Sequence, residues 1–253
     1  MVVKLRERNR DDRDFDTTSL SREVHGEKMH RDYTAHFFRW NFARRFINKD
    51  KRVLEIGCGV EKPLARMLLQ SQSQNVDHYV GVDLNPLPPR GAGSRATFYG
   101  EFNFVERWKE LSGLGPFDVI IHLEVIEHML PKHGLAMLKA CRELLRPGGV
   151  MLMSTPCYDG KNHAANHIHE YTVEELAGFV RKAGLSIDRR WGTFMDVRHI
   201  PKTPGLLAPD VAAAVKTLYR ELSGYYDRDA LSCFFAPLFP DHSRNNLWVC
   251  RRD

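Results

Sequence analysis

Residues 52–59 read RVLEIGCG and residues 78–83 read HYVGVD. The first is an apolar strand that runs straight into Gly57-Cys58-Gly59, and the second stops on an acid, Asp83. In a wound α/β sheet, glycines after the first strand let a ligand lie against bare backbone, because no Cβ intervenes. A carboxylate ending the next strand can accept hydrogen bonds from ribose hydroxyls. The pair points to a ligand that contains a nucleoside. A nicotinamide dinucleotide is the weaker version of that reading, since the third glycine of GxGxxG is here Lys62.

Outward from residue 52, apolar runs alternate with helical stretches, the pattern of successive βαβ units and a mainly parallel sheet. Strands are expected near 52–56, 78–82, 96–99, 118–123 and 149–154, with a sixth over Ser186–Trp191 and a seventh over Asn246–Arg251. Helices are expected at 62–71, 133–145 and 208–222, and more weakly at 104–112. Thr172 with Glu175 forms a capping box and Gly184 follows Lys182, so a helix is expected over 173–183. Upstream, Met29, Tyr33, Phe37, Trp40 and Ile47 fall at helical spacing and give an apolar stripe, while Arg31, Arg39, Arg44 and Arg45 point elsewhere. Residues 1–20 carry dense charge of both signs and read as a mobile arm ahead of a single domain over 21–253. The stretch 196–243 is longer than a hairpin requires and reads as a lid-like insertion. Its Tyr219, Tyr225, Tyr226, Phe234, Phe235 and Phe239 suit either a planar acceptor or a small satellite core.

Composition narrows the class. With 37 basic against 32 acidic residues the chain carries a formal +5, which permits an anionic partner without demanding nucleic acid. The five cysteines are scattered with no CxxC, giving neither a disulfide framework nor a zinc knuckle, and imply a reducing, cytoplasmic setting. No apolar run approaches the roughly 18 residues of a membrane-spanning helix.

Two further blocks, GPFDVIIHLEVIEH at 115–128 and LLRPGGVMLMSTP at 144–156, stand beside Glu55, Gly57, Gly59 and Asp83. Together these resemble the class I S-adenosylmethionine (SAM) dependent methyltransferases. The resemblance implies a Rossmann-like, seven-strand, mainly parallel sheet, with the N-terminal helix covering the ligand cleft. It implies a SAM pocket in which Glu55 faces the amino end and the Gly57-Cys58-Gly59 turn takes the methionyl part. Asp83 would take the ribose, Leu84 would lie beside the adenine, and Glu101 and Phe102 would recognise and flank the ring. Tyr33 and Leu123 complete the cofactor-binding set. The family often has a third glycine where this chain has Glu61.

Glu124, Glu127 and His128 follow the fourth strand; were a helix to start there, they would share one face at i, i+3 and i+4. A second polar cluster, Asn162 to Glu170, follows the fifth strand, and in it His167 and His169 would share a face if extended. Carboxylates and imidazoles so placed can hold a divalent cation or supply a general base. Glu124, Glu127, His128 and His167 are therefore the candidate catalytic residues, and also the candidate metal ligands. The set resembles that of small-RNA 2′-O-methyltransferases, which hold a metal at the ribose hydroxyl, and the same blocks resemble ubiquinone-biosynthesis O-methyltransferases. The expected activity is SAM-dependent O-methylation of a small-molecule acceptor. Its rivals are a nucleic-acid methyltransferase (RNA ribose or modified DNA) and a SAM-binding module without catalysis.

Overall fold

A computed structural model describes residues 31–47, 50–70, 76–87, 95–161, 163–196 and 207–253. The expected arm at 1–20, Met29, Asn162, Pro201 and Pro204 lie outside the described residues, as do the side chains of Arg31 and Tyr33.

The described residues open with α1 (Arg31–Ala43) and continue through β1 (Arg52–Ile56), α2 (Pro63–Gln70), β2 (His78–Val82), β3 (Ala96–Tyr99), α3 (Phe104–Arg107) and β4 (Phe117–Leu123). They then run through α4 (Pro131–Leu144), β5 (Leu145–Pro156), α5 (Val173–Lys182), β6 (Ser186–Phe194), α6 (Pro209–Leu222), α7 (Arg228–Phe235) and β7 (Asn245–Arg251). The seven strands form one sheet in the order β3-β2-β1-β4-β5-β7-β6. All pairs are parallel except those of β7, which runs antiparallel between β5 and β6. The order reverses beside β1, so β1 and β4 flank the crevice in which such sheets bind ligands, at the carboxyl ends of their strands.

Both sheet faces are covered, which is why the central strands read as continuous apolar runs instead of alternating ones. Leu54, Ile56, Val80, Val82, Ile120, Met151 and Met153 pack with Met137, Leu138 and Leu144 of α4 and Leu176 and Val180 of α5. On the other face Val53, Tyr79, Val119, Ile121 and Leu152 pack with Trp40 and Ala43 of α1 and Leu64 and Leu68 of α2. The capping box over α5 forms in part. Thr172 Oγ1 accepts from the Glu175 N–H at 3.2 Å, but the Glu175 carboxylate turns to His169.

Four local expectations are corrected. β5 begins at Leu145 and extends to Pro156, beyond the expected 149–154. No helix starts at Glu124: that residue sits at φ 57 in the left-handed region, a 3-10 turn covers Ile126–His128, and α4 starts only at Pro131. Glu124 is pulled from helical geometry because its N–H donates to Ser154 O at 2.9 Å, across to β5. Pro131 then suits the first position of a helix, where no N–H is needed. On α1, Phe37 is 47% exposed, whereas Ala35, Arg39 and Ala43, spaced by four, are buried. Arg39 therefore points inward, not away. The cluster at 163–170 is no extended segment but a turn, and it sends His167 and His169 to different partners.

In the stretch after β6, Met195, Val215, Leu231, Phe235, Ala236 and Phe239 form a core of their own. Asp227 caps α7 by accepting from the Ala230 N–H at 2.7 Å, and α7 packs against α1. Tyr225, Tyr226 and Phe234 remain exposed.

Candidate functional site

The glycine turn is built as bare backbone. Gly57 and Gly59 adopt φ of 74° and 70°, a region that side chains with Cβ disfavour. A Cβ on Gly57 would come within 2.6 Å of Val125 Cγ2, so the turn and the segment after β4 close on each other only because the side chain is missing. Gly57 is nonetheless exposed, at the carboxyl end of the central strand. Asp83 braces the turn: its Oδ2 accepts from the Gly59 N–H at 2.8 Å, and its Oδ1 from the Asn85 N–H and side-chain amide. Cys58 is buried beneath, Leu84 is half-buried, Leu123 is 8% exposed, and Glu101 lies in the open at φ 50. Phe102 is buried in the main core, with the Arg107 guanidinium 4.5 Å above its ring.

Glu55 is 4% exposed and accepts a hydrogen bond from the Tyr79 hydroxyl. Burial lifts its carboxyl from an ordinary 4.5 to about 8; the Tyr79 hydroxyl works against that lift and the Asp83 charge adds to it. Glu55 therefore keeps its proton through neutral pH. Tyr79 carried no motif signal and its role emerges only from the pairing of β1 with β2.

The second half of the site lies beyond β4 and β5. One ligand atom each from Glu127, His128 and His167 falls within 4.8 Å of the others. Glu127 is fully buried; Thr155 Oγ1 donates to its Oε2 at 3.0 Å, while Oε1 has no hydrogen-bond partner. Burial, reinforced by the neighbouring Glu124 charge, raises the Glu127 carboxyl well above the usual range. His128 Nε2 stands 4.0 Å from Glu127 Oε1, and its Nδ1 is 3.1 Å from Asn166 O. His167 Nδ1 is 2.6 Å from Glu170 Oε1, and the two imidazoles meet edge to face at 5.0 Å. Burial tends to raise Glu170, yet the His167 side chain and the Ala164 N–H hold it below the ordinary carboxylate range. Glu170 Oε1 is placed to accept a hydrogen bond from His167 Nδ1–H, which orients the ring. Backbone carbonyl and carboxylate partners of this kind fix ring orientation around metal ions.

Of the four expected residues, three come together and the fourth is held apart. Glu124 Oε1 accepts from Ser154 Oγ at 2.7 Å, its Oε2 from Asn245 Nδ2 at 2.6 Å, and Arg39 Nη1 lies 3.8 Å from Oε1. His169 turns away to Glu175. Arg39, Asn245, Ser154 and Thr155 are site neighbours that the motifs did not single out, whereas Asn166 and Glu170 fall inside the polar cluster at 162–170 but were given no role. Ser154 and Thr155, near the end of a strand at the sheet's carboxyl edge, carried a positional signal.

The chemistry of the arrangement can be set against the two groups raised by the sequence. A bare glycine turn beside a carboxylate suits a nucleoside ligand, and an orphaned buried carboxylate oxygen facing two oriented imidazoles suits a divalent cation. No helix among the described residues is long and apolar enough to cross a membrane.

Comparison with known proteins agrees with this fold. The profile of a methyltransferase domain matches residues 28–189. A ubiquinone biosynthesis O-methyltransferase of Cereibacter sphaeroides is 32% identical over 170 residues, an alignment that covers 58% of this chain and 65% of that protein. The match thus spans less than two thirds of the length of this curated relative. A SAM dependent methyltransferase from Archaeoglobus fulgidus shares the fold with a TM-score of 0.54 at 15% identity, over 88% of this chain and 94% of that one. The small RNA methyltransferase HEN1 shares it with a TM-score of 0.55 at 19% identity, over 86% of this chain and 25% of that one. With its sheet order, its glycine turn and a family match over more than half its length, the chain belongs to the class I SAM-dependent methyltransferases.

Proposed function

We propose that the protein transfers a methyl group from SAM to a hydroxyl oxygen of a small-molecule acceptor. The observation that carries this reading is the convergence of Glu127, His128 and His167 within 4.8 Å, on the same sheet edge as the glycine turn. SAM supplies a methyl carbon already activated by its sulfonium. What remains for the protein is alignment, exclusion of water and, for a hydroxyl acceptor, removal of a proton.

The residues divide that work. Gly57, Cys58 and Gly59 present backbone to the methionyl part, with Glu55 beneath, and Asp83 accepts from the ribose. Leu84, Glu101, Phe102 and Leu123 contribute the rest of the cofactor pocket. His128, oriented through Nδ1 by Asn166 O, takes the acceptor's proton at Nε2. Glu127 and His167 set the charge around it, and with His128 they are the residues that would hold a divalent cation. Such a cation would lower the pKa of a hydroxyl bound to it. The O-methyltransferase relatives support a low-molecular-weight acceptor.

The test is methyl transfer from labelled SAM to a panel of catechols, phenols and hydroxy acids, run beside short oligoribonucleotides and with or without chelator. Turnover on a small hydroxylated compound that falls on chelation is the expected result. Transfer to the oligoribonucleotides alone, with affinity collapsing as salt rises, would overturn the small-molecule assignment. Turnover unaffected by chelator would leave His128 as base and reject the cation.

A further inference from the structure

Arg39 is a buried and loosely satisfied charge beside the site. It is 2% exposed, its Nε has no hydrogen-bond partner, and its carboxylate neighbour, Glu124 Oε1, stands 3.8 Å from Nη1, an ion-pair distance rather than a close hydrogen bond. Burying a guanidinium so loosely paired is costly, because the ion gives up hydration for little in return. The rest of α1 has no need of it: Ala35, Trp40 and Ala43 are buried, and Phe42 of that helix packs on Trp191 of β6.

Glu124 is the other half of the pair. A carboxylate offers about four lone-pair sites; here two are taken by neutral donors, Ser154 and Asn245, and one oxygen faces Arg39. The neutral hydrogen bonds leave the Glu124 charge intact and are compatible with ligating a cation. The guanidinium competes, since its positive charge beside Oε1 repels a second cation approaching the same carboxylate. Glu124 also lies close enough to Glu127 to perturb it electrostatically.

We propose that Arg39 is a positioning residue which competes with a divalent cation for Glu124, so that the covering helix α1 and the Glu127–His128–His167 cluster are coupled. With α1 docked through Arg39, Glu124 is withheld from the cluster. With α1 released, Glu124 becomes its fourth ligand. By linkage the effect is reciprocal: whatever Arg39 subtracts from cation affinity, the cation subtracts from docking of α1. The inference rests on the cation reading above, and the experiment separates the two.

The 253-residue chain saturated with S-adenosylhomocysteine is titrated with Mn²⁺ by calorimetry, as wild type and as Arg39→Gln, Glu124→Gln, the double variant, Arg39→Lys and His128→Ala. Arg39→Gln should bind Mn²⁺ about tenfold tighter, a change typical of coupling between two sites. Glu124→Gln should bind it several-fold more weakly, and Arg39→Gln should then add nothing in the Glu124→Gln background. Arg39→Lys, which keeps the charge, should stay near wild type and guards against a merely misfolded helix. Hydrogen exchange of residues 35–43 should speed up on adding Mn²⁺ to wild type but not to Glu124→Gln. An Arg39→Gln effect that persists without the Glu124 charge, or no effect at all while His128→Ala loses Mn²⁺, would overturn the competition and leave the cation site standing. Binding of Mn²⁺ that is absent, or indifferent to His128→Ala, would overturn the site and the competition together.

Discussion

Replacing Glu55 by Gln should remove a large part of the pH dependence of stability. Gln is nearly isosteric and keeps an oxygen to accept from the Tyr79 hydroxyl. In the native protein the Glu55 carboxyl is raised by burial from 4.5 to about 8, and at 4% exposure solvent does little to screen it. Between those two pH values the folded chain holds a proton that the unfolded chain has released. Stability is therefore fully present below about pH 4.5 and is lost as pH rises towards 8, with a slope of up to about 1.4 kcal/mol per pH unit. Over the roughly 3.5-unit interval that comes to about 4–5 kcal/mol. His122 works in the opposite sense. Burial lowers it from 6.5 to about 3, so its contribution is lost as pH falls from 6.5 towards 3. Because His122 is present in both proteins, it cancels in their difference. Urea unfolding of wild type and Glu55→Gln at pH 5, 6, 7 and 8 isolates the effect. The variant should match the wild type near pH 5 and exceed it increasingly up to pH 8. Parallel curves across that range would show that Glu55 is ionised in the native state, and the reasoning from its burial would fail.

Gly57→Ala should cost about 1–2 kcal/mol for the left-handed backbone alone, and more for the 2.6 Å approach to Val125 Cγ2; denaturant unfolding together with loss of S-adenosylhomocysteine binding would show it, and wild-type values for both would refute it. Asp83→Ala should weaken SAM binding by about 1.5–3 kcal/mol if the carboxylate is a charged acceptor for the ribose, read by calorimetry against SAM with NAD as the control ligand. His128→Ala should abolish methyl transfer while leaving SAM affinity near wild type, and retained turnover would remove His128 from the chemistry. Trp40→Ala should destabilise the protein by about 3–5 kcal/mol, since the side chain is 8% exposed within the core between α1 and the sheet; a change in melting temperature within error would contradict the docking of α1.

The sequence by itself determined the strands, their parallel winding and the ligand turn, because each rests on local physics. Apolar runs with no polar face require a sheet covered on both sides, glycines are tolerant of positive φ, and an acid at a strand end is visible one residue at a time. It also singled out Glu127 and His128, by way of a helix that does not form, and His167 from the polar cluster after the fifth strand. Their convergence comes instead from a left-handed Glu124, a 3-10 turn, and a loop whose Ile168 and His169 N–H groups donate to Glu127 O. Only the tertiary structure decided where Glu124 turns and what Arg39 does. Asn245, 121 residues downstream of Glu124, reaches it because β7 inserts antiparallel beside β5, and Arg39 arrives because α1 lies across the sheet face. Partners of a buried charge are chosen by whichever elements the fold packs around it, and no spacing along the chain encodes that choice.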